Sequence, residues 1–71
     1  MKLKVNGDNI EVTDGLTVTA LLKERNVKMP EMVSVELNGS IVRRAAFAET
    51  VLNDGDEVEF LYFMGGGSES Y

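Results

Sequence analysis

Lys2-Leu3-Lys4-Val5 alternates polar and apolar residues, and Asn9-Ile10-Glu11-Val12-Thr13 resumes the alternation after Asn6-Gly7-Asp8. Period two on both sides of an Asn-Gly pair predicts an antiparallel hairpin. Leu3, Val5, Ile10 and Val12 then share one face, and a slip of one residue would turn either apolar pair to solvent, so the pattern also sets the register. The spacing next becomes helical. Thr17 is placed to cap a helix running from Val18 to Arg25 or Asn26, with Leu16 and Leu21 flanking the cap as a hydrophobic staple. Val18, Leu21 and Leu22 form its buried stripe, while Lys23, Glu24 and Arg25 face solvent. Lys23 and Arg25 also oppose the negative end of the helix dipole. Asn26 is a suitable terminator, and Pro30 prevents continuation.

Alternation returns over Met32 to Leu37, with Val33, Val35 and Leu37 on one face and Ser34 and Glu36 on the other. Asn38-Gly39 predicts a second hairpin, whose return strand spans Ser40 to Arg43. Ala45 to Glu49 is too short for a full helix and reads as a turn or a single 3₁₀ turn leading to Thr50, Val51 and Leu52. Asn53-Asp54-Gly55-Asp56 is a tight polar turn that launches a last strand, Val58 to Met64. The order is therefore hairpin, helix, hairpin, strand. A mixed sheet of four to five strands with one helix across a face accommodates this order with short connections, the last strand lying between the outer pairs and parallel to the first. That arrangement is the α+β fold called β-grasp, or ubiquitin-like. Residues 1–64 form the domain, and residues 65–71 are expected to be a flexible glycine-rich tail. In the last strand Val58, Phe60 and Tyr62 take the phase that faces the helix. Leu61 and Phe63 then lie on the open side of the sheet and, with Met64, form a candidate partner-binding patch.

Composition narrows the chemistry. A chain of 71 residues allows one small domain and leaves no room for a deep, enclosed active site. It contains neither Cys nor His, which removes thiolate chemistry, disulfides, soft metal sites and the side chain best suited to proton transfer near neutral pH. Carboxylates, lysines and hydroxyls remain, but no spacing gathers them into a catalytic constellation. The expectation is a non-enzyme with no catalytic residue, no metal and no bound cofactor. Twelve acidic against seven basic residues give a formal charge of −5, the wrong sign for phosphate backbones, and Arg43-Arg44 reads as a solvated strand end. No apolar run approaches the length needed to span a bilayer. The expected setting is cytoplasmic, without nucleic acid or membrane as partner.

The last strand runs directly into Gly65, Gly66 and Gly67, followed by Ser68, Glu69, Ser70 and Tyr71. A peptide without side chains, projecting from a rigid strand, fits a narrow enzyme channel that any Cβ would block. Taken with Lys2-Leu3-Lys4-Val5-Asn6-Gly7, the Leu21-Leu22 helix, Val35-Glu36-Leu37-Asn38-Gly39-Ser40-Ile41-Val42, Leu52-Asn53-Asp54-Gly55-Asp56-Glu57-Val58-Glu59 and Phe63-Met64-Gly65-Gly66-Gly67, the sequence resembles the small sulfur carriers of thiamin biosynthesis. These belong to the β-grasp group that also holds the molybdopterin-synthase small subunit and ubiquitin. The resemblance implies that an E1-like adenylating enzyme uses ATP to activate a C-terminal glycine carboxylate. A persulfide donor protein then displaces AMP to leave a thiocarboxylate, which gives its sulfur to thiazole synthase. It makes Gly66 and Gly67 the adenylated and sulfur-bearing tail, Gly65 a spacer, and Leu61, Phe63 and Met64 the docking end of the strand.

One feature departs from that pattern. Carriers of this kind end at the diglycine, whereas Gly67 is amide-bonded to Ser68 here. A precursor trimmed by a tail-processing peptidase, an appended tail, and a protein that has abandoned sulfur transfer are the three readings. Retention of three glycines favours the first two. The fold and tail are also compatible with a carrier for molybdopterin or another sulfur pathway, with a ubiquitin-like modifier, and with a plain β-grasp interaction module.

Overall fold

The computed structural model describes residues 1–28 and 30–62. Among them are two hairpins, formed by β1 (Lys2–Val5) with β2 (Asp8–Glu11) and by β3 (Val33–Leu37) with β4 (Ser40–Val42). One helix, α1 (Val18–Glu24), separates the hairpins, and a last strand, β5 (Glu57–Tyr62), follows them. Each hairpin closes through an Asn-Gly pair with positive φ at both residues: Asn6 at 50° and Gly7 at 87°, Asn38 at 52° and Gly39 at 88°. Those angles define the type I′ turn, whose twist matches that of the strands it joins. The sheet order is β2-β1-β5-β3-β4, with β1 and β5 parallel and the other neighbours antiparallel. This is the β-grasp arrangement expected from the element order.

The helix is held at both ends by the interactions its sequence suggests. Thr17 is extended, and its hydroxyl oxygen accepts from the amide of Ala20 at 3.1 Å. The two amides before it are satisfied from a distant segment, Val18 N–H donating to the Thr50 carbonyl and Thr19 N–H to the Phe47 carbonyl. At the other end Asn26 adopts φ 54°, its amide donates to the Lys23 carbonyl, and the Val27 amide donates to the Leu22 carbonyl. That pair of bonds is a Schellman motif, with asparagine taking the left-handed position. The helix therefore ends at Glu24, a residue or two short of the predicted boundary, because Arg25 already serves as its C-cap.

The core lies between α1 and one face of the sheet. It consists of Leu3, Val5, Val18, Leu21, Leu22, Val33, Val35, Phe47, Leu52, Val58 and Phe60, with Ile10, Val12, Leu16 and Leu37 packed against it. Phe47 is a core residue from an irregular segment. It follows a 3₁₀ turn at Arg44–Ala46, displaced by one residue from the expected start, and the segment is pinned by the bonds to the helix amides and by Leu52 N–H to the Leu16 carbonyl. The alternation in the last strand holds through Phe60. Tyr62 requires a correction: it pairs with the fully buried Val33 and so keeps the predicted phase, yet it is 49% exposed. The reason is local to the strand's end. The β1 register reaches only Val58, so among the described residues no strand flanks β5 on that side beyond Phe60 to cover the ring.

Two core positions give opposite expectations. Phe47→Ala should cost about 3–5 kcal/mol, a large share of the stability of so small a domain. Ile41→Ala, at a position 60% exposed on β4, should change stability by less than about 0.5 kcal/mol. Urea denaturation of both variants, compared by midpoint at constant slope, checks the contrast.

Candidate functional site

The central strand β5 is also the strand that leads into the glycines, so the placement of its end decides where the tail begins. On the β3 flank its register runs from Leu37 opposite Val58 to Val33 opposite Tyr62. On the β1 flank Lys4 and Val5 stand opposite Glu57 and Val58. Both ladders are lengthened by the turn asparagines. A type I′ turn rotates the carbonyl of its first central residue out of the ladder, and the side-chain carboxamide oxygen takes the vacated position. Asn6 donates its amide to the Val58 carbonyl at 2.9 Å, and its Oδ1 accepts from the Phe60 amide at 2.9 Å. Asn38 does the same on the other flank, donating to the Glu57 carbonyl at 2.7 Å and accepting the Glu57 amide on Oδ1 at 2.9 Å.

Asn38 has a further partner. Its Nδ2 donates to Asp56 Oδ1 at 3.0 Å, while Asp56 Oδ2 accepts from the Asn53 amide at 2.8 Å and closes the turn before β5. That turn is tied in turn to β1, through Lys2 N–H to Asp54 and Gly55 N–H to the Lys2 carbonyl. The start of β5 is thus held by side chains from two turns, Asn38 on one and Asp54 and Asp56 on the other, together with the backbone of Lys2. Sequence reading identifies the Asn-Gly pairs as turns but gives no signal for the rung role, which exists only once β5 lies between them.

The face of the sheet away from α1 carries Lys2 and Lys4 from β1, Glu36 from β3, Ile41 from β4, and Glu57, Glu59 and Leu61 from β5, as the register and the alternation of burial require. Its charges are unevenly arranged. Toward β1, opposite charges face each other, Lys4 with Glu57 and Lys2 with Glu11. Toward β3, Glu36 and Glu59 stand directly opposite each other, with the exposed Ile41 beside them. Leu61, opposite Ser34, is half-buried on this face, in agreement with its predicted side. Phe63 and Met64, the spacer Gly65, and the tail glycines Gly66 and Gly67 lie outside the described residues.

On the helix side an open groove of about 390 Å³ runs past Leu22, Val27, Pro30 and Phe47, with Lys23 and Arg44 among its lining. Arg44 is engaged within the fold, its Nη2 donating to the Val33 carbonyl at 2.8 Å. The described residues contain no cluster of three or more carboxylates placed to hold a metal ion, and no described helix is long and apolar enough to cross a membrane.

These features define a small β-grasp domain whose central strand, β5, is followed in sequence by Gly65, Gly66 and Gly67. The model of the ThiS family matches residues 3–67, and the chain belongs to that family. It is similar to a crystal structure of the thiamine biosynthesis protein (ThiS) from Geobacter metallireducens, at 52% identity and a TM-score of 0.86, covering 94% of this chain and 100% of that one. It is also 42% identical over 69 residues to a thiazole synthase of Paramagnetospirillum magneticum, covering 97% of this chain and 21% of the relative. A thiazole synthase of Magnetococcus marinus is 36% identical over 67 residues, covering 94% of this chain and 20% of the relative. The chain thus spans about a fifth of the length of these two thiazole synthases.

The facing carboxylates yield a prediction about stability. Glu59→Lys replaces a like-charge pair with an opposite-charge pair across Glu36 and should stabilise the domain by about 0.2–1 kcal/mol. The gain should shrink at high ionic strength, which urea denaturation at two salt concentrations measures.

Proposed function

We propose that this chain is a sulfur carrier of thiamin biosynthesis whose cargo group is the main-chain carboxyl of Gly67, exposed by removal of residues 68–71. The observation that carries the reading is the family match through Gly67, supported by a structural neighbour of 52% identity described as a thiamine biosynthesis protein. The composition is consistent with it. With no Cys in the chain, no side chain can bear a persulfide, and a main-chain acyl group is the remaining place for a sulfur atom.

The chemistry follows from the reactivity of a carboxylate, which has no good leaving group. A Gly67 carboxylate oxygen attacks the α-phosphorus of ATP on an E1-like enzyme, pyrophosphate departs, and an acyl-adenylate forms. The terminal sulfur of a persulfide donor then attacks the acyl carbon and AMP leaves. A thiol cleaves the resulting sulfur–sulfur bond, the donor fragment departs as a disulfide, and Gly67 keeps a thiocarboxylate. In this scheme the chain supplies no side-chain acid, base or nucleophile, its one reacting group being the Gly67 carboxylate. It supplies reach, through glycines that pass where side chains would clash, and a docking surface centred on Leu61, Phe63 and Met64.

Thiazole synthase is the acceptor this reading favours, because two relatives bearing that name contain a segment similar to nearly the whole of this chain. A cytoplasmic setting, a persulfide donor protein and a tail-processing peptidase complete the proposal. ATP is used by the activating enzyme and is not bound by the carrier.

Intact-mass spectrometry provides the test. A chain ending at Gly67, incubated with ATP, an E1-like enzyme and a persulfide donor, should gain the mass of one oxygen exchanged for sulfur, and the chain ending at Tyr71 should not. Replacing both Gly66 and Gly67 with alanine should abolish the shift while leaving the urea midpoint unchanged. A Gly67 chain that remains unmodified would sink the carrier reading in favour of an interaction module.

A further inference from the structure

We propose that Asn6 is a positioning residue for the tail: among the described residues its carboxamide oxygen makes the last rung on the β1 flank of β5 and so steadies the direction in which the strand leads toward Gly67. The inference rests on the carrier reading for its functional consequence, and on geometry for the rest. In β5 the backbone groups of even-numbered residues point toward β1, since Asn6 N–H reaches the Val58 carbonyl and Asn6 Oδ1 the Phe60 amide. Odd-numbered residues point toward β3, as the paired bonds between Asn38 and Glu57 show. Past Asn6, Gly7 has already turned the chain into β2, so the Phe60 amide is the last β5 group held from that side by this hairpin.

Asn38 is the internal control. It makes the same substitution of side chain for backbone carbonyl, in the same turn type, on the same strand, but at Glu57, the end remote from the tail. Its loss should loosen the start of β5, which β1, β3 and the Asn53–Asp56 turn also restrain. Loss of Asn6 should loosen the end. Phe60 is itself a core residue, 8% exposed, and its amide hydrogen bond to Asn6 is part-buried, so loss of the acceptor removes a partner at the edge of the core. Without the rung, Phe60 and Tyr62 gain freedom on one flank, and every residue beyond them inherits the uncertainty in direction.

The variants are chosen to keep the turn intact. Asn6→Gly preserves positive φ and removes the acceptor, Asn6→Asp preserves both, and Asn38→Gly removes the equivalent acceptor at the other end. Amide hydrogen exchange by NMR on the full chain should show the Phe60 amide exchanging about tenfold faster in Asn6→Gly, with Glu57 unchanged. Asn38→Gly should show the reverse, and Asn6→Asp should resemble the parent.

The functional arm uses the chain ending at Gly67, which retains every described element, with pyrophosphate exchange by the E1-like enzyme as readout. Asn6→Gly should lower kcat by about fivefold or more with KM little changed, since docking is intact and only tail placement suffers. Asn38→Gly should stay within about twofold of the parent, and Asn6→Asp should restore the rate. Equal losses in Asn6→Gly and Asn38→Gly, or undiminished kcat in Asn6→Gly, would overturn the positioning role, as would an unchanged Phe60 amide. Should the parent chain itself not be adenylated, the carrier reading falls, while the exchange pattern still upholds or refutes Asn6 as the residue that sets the end of β5.

Discussion

The structure depends on β5 being inserted between two hairpins whose own pairings do not include it. Its parallel pairing with β1 joins residues more than fifty positions apart, as in the bond from Phe60 to Asn6, and such closure carries a considerable chain-entropy cost. Neither hairpin is stable alone in water, because two strands bury too little surface. Inserting β5 turns two marginal pairs into one five-stranded sheet with a continuous apolar face, on which Val58 and Phe60 complete the core beneath α1. The two asparagine rungs are part of that closure, since they let each hairpin grip β5 beyond the last residue of its own strand.

A carrier of the kind proposed must be stiff where it is held and unobstructed where it reacts. The start of β5 is restrained by β1, β3, Asn38 and the Asn53–Asp56 turn, whereas beyond Phe60 the restraint comes from β3 alone among the described strands. Restraint therefore falls off in the direction of the glycines. The open face beside that end combines exposed Ile41 and half-buried Leu61 with two facing carboxylates, a combination that costs stability in the free domain and is complementary to a basic surface with an apolar centre. On the proposed carrier reading chemistry and fold are separated: the sheet serves recognition, and the reacting atoms belong to the main chain of Gly67.

Much of the architecture was legible because its signals are local. The Asn-Gly pairs marked both hairpin turns, period-two alternation marked the strands, and Thr17, Leu21 and Asn26 marked the helix, its start to the residue and its end to within a residue or two. Phe47 was not legible as core. It sits in a segment with neither helical nor strand periodicity, which is held against α1 by the carbonyls of residues 47 and 50 bonding the helix's first amides. Tyr62 shows the complementary limit. Alternation gives the face on which a side chain lies, but its exposure depends on where the neighbouring strands end.

For the functional site the division is sharper. Residue chemistry alone excluded cysteine and histidine mechanisms, because that inference needs only the identities of residues, whereas the glycine tail became a candidate site through the family resemblance of the whole chain. Which residues hold the end of the last strand, and that Glu36 and Glu59 face each other across the open sheet, were decided by tertiary structure. Strand register brings together groups that are distant in the chain, and no local pattern encodes a contact that exists only after the sheet has closed.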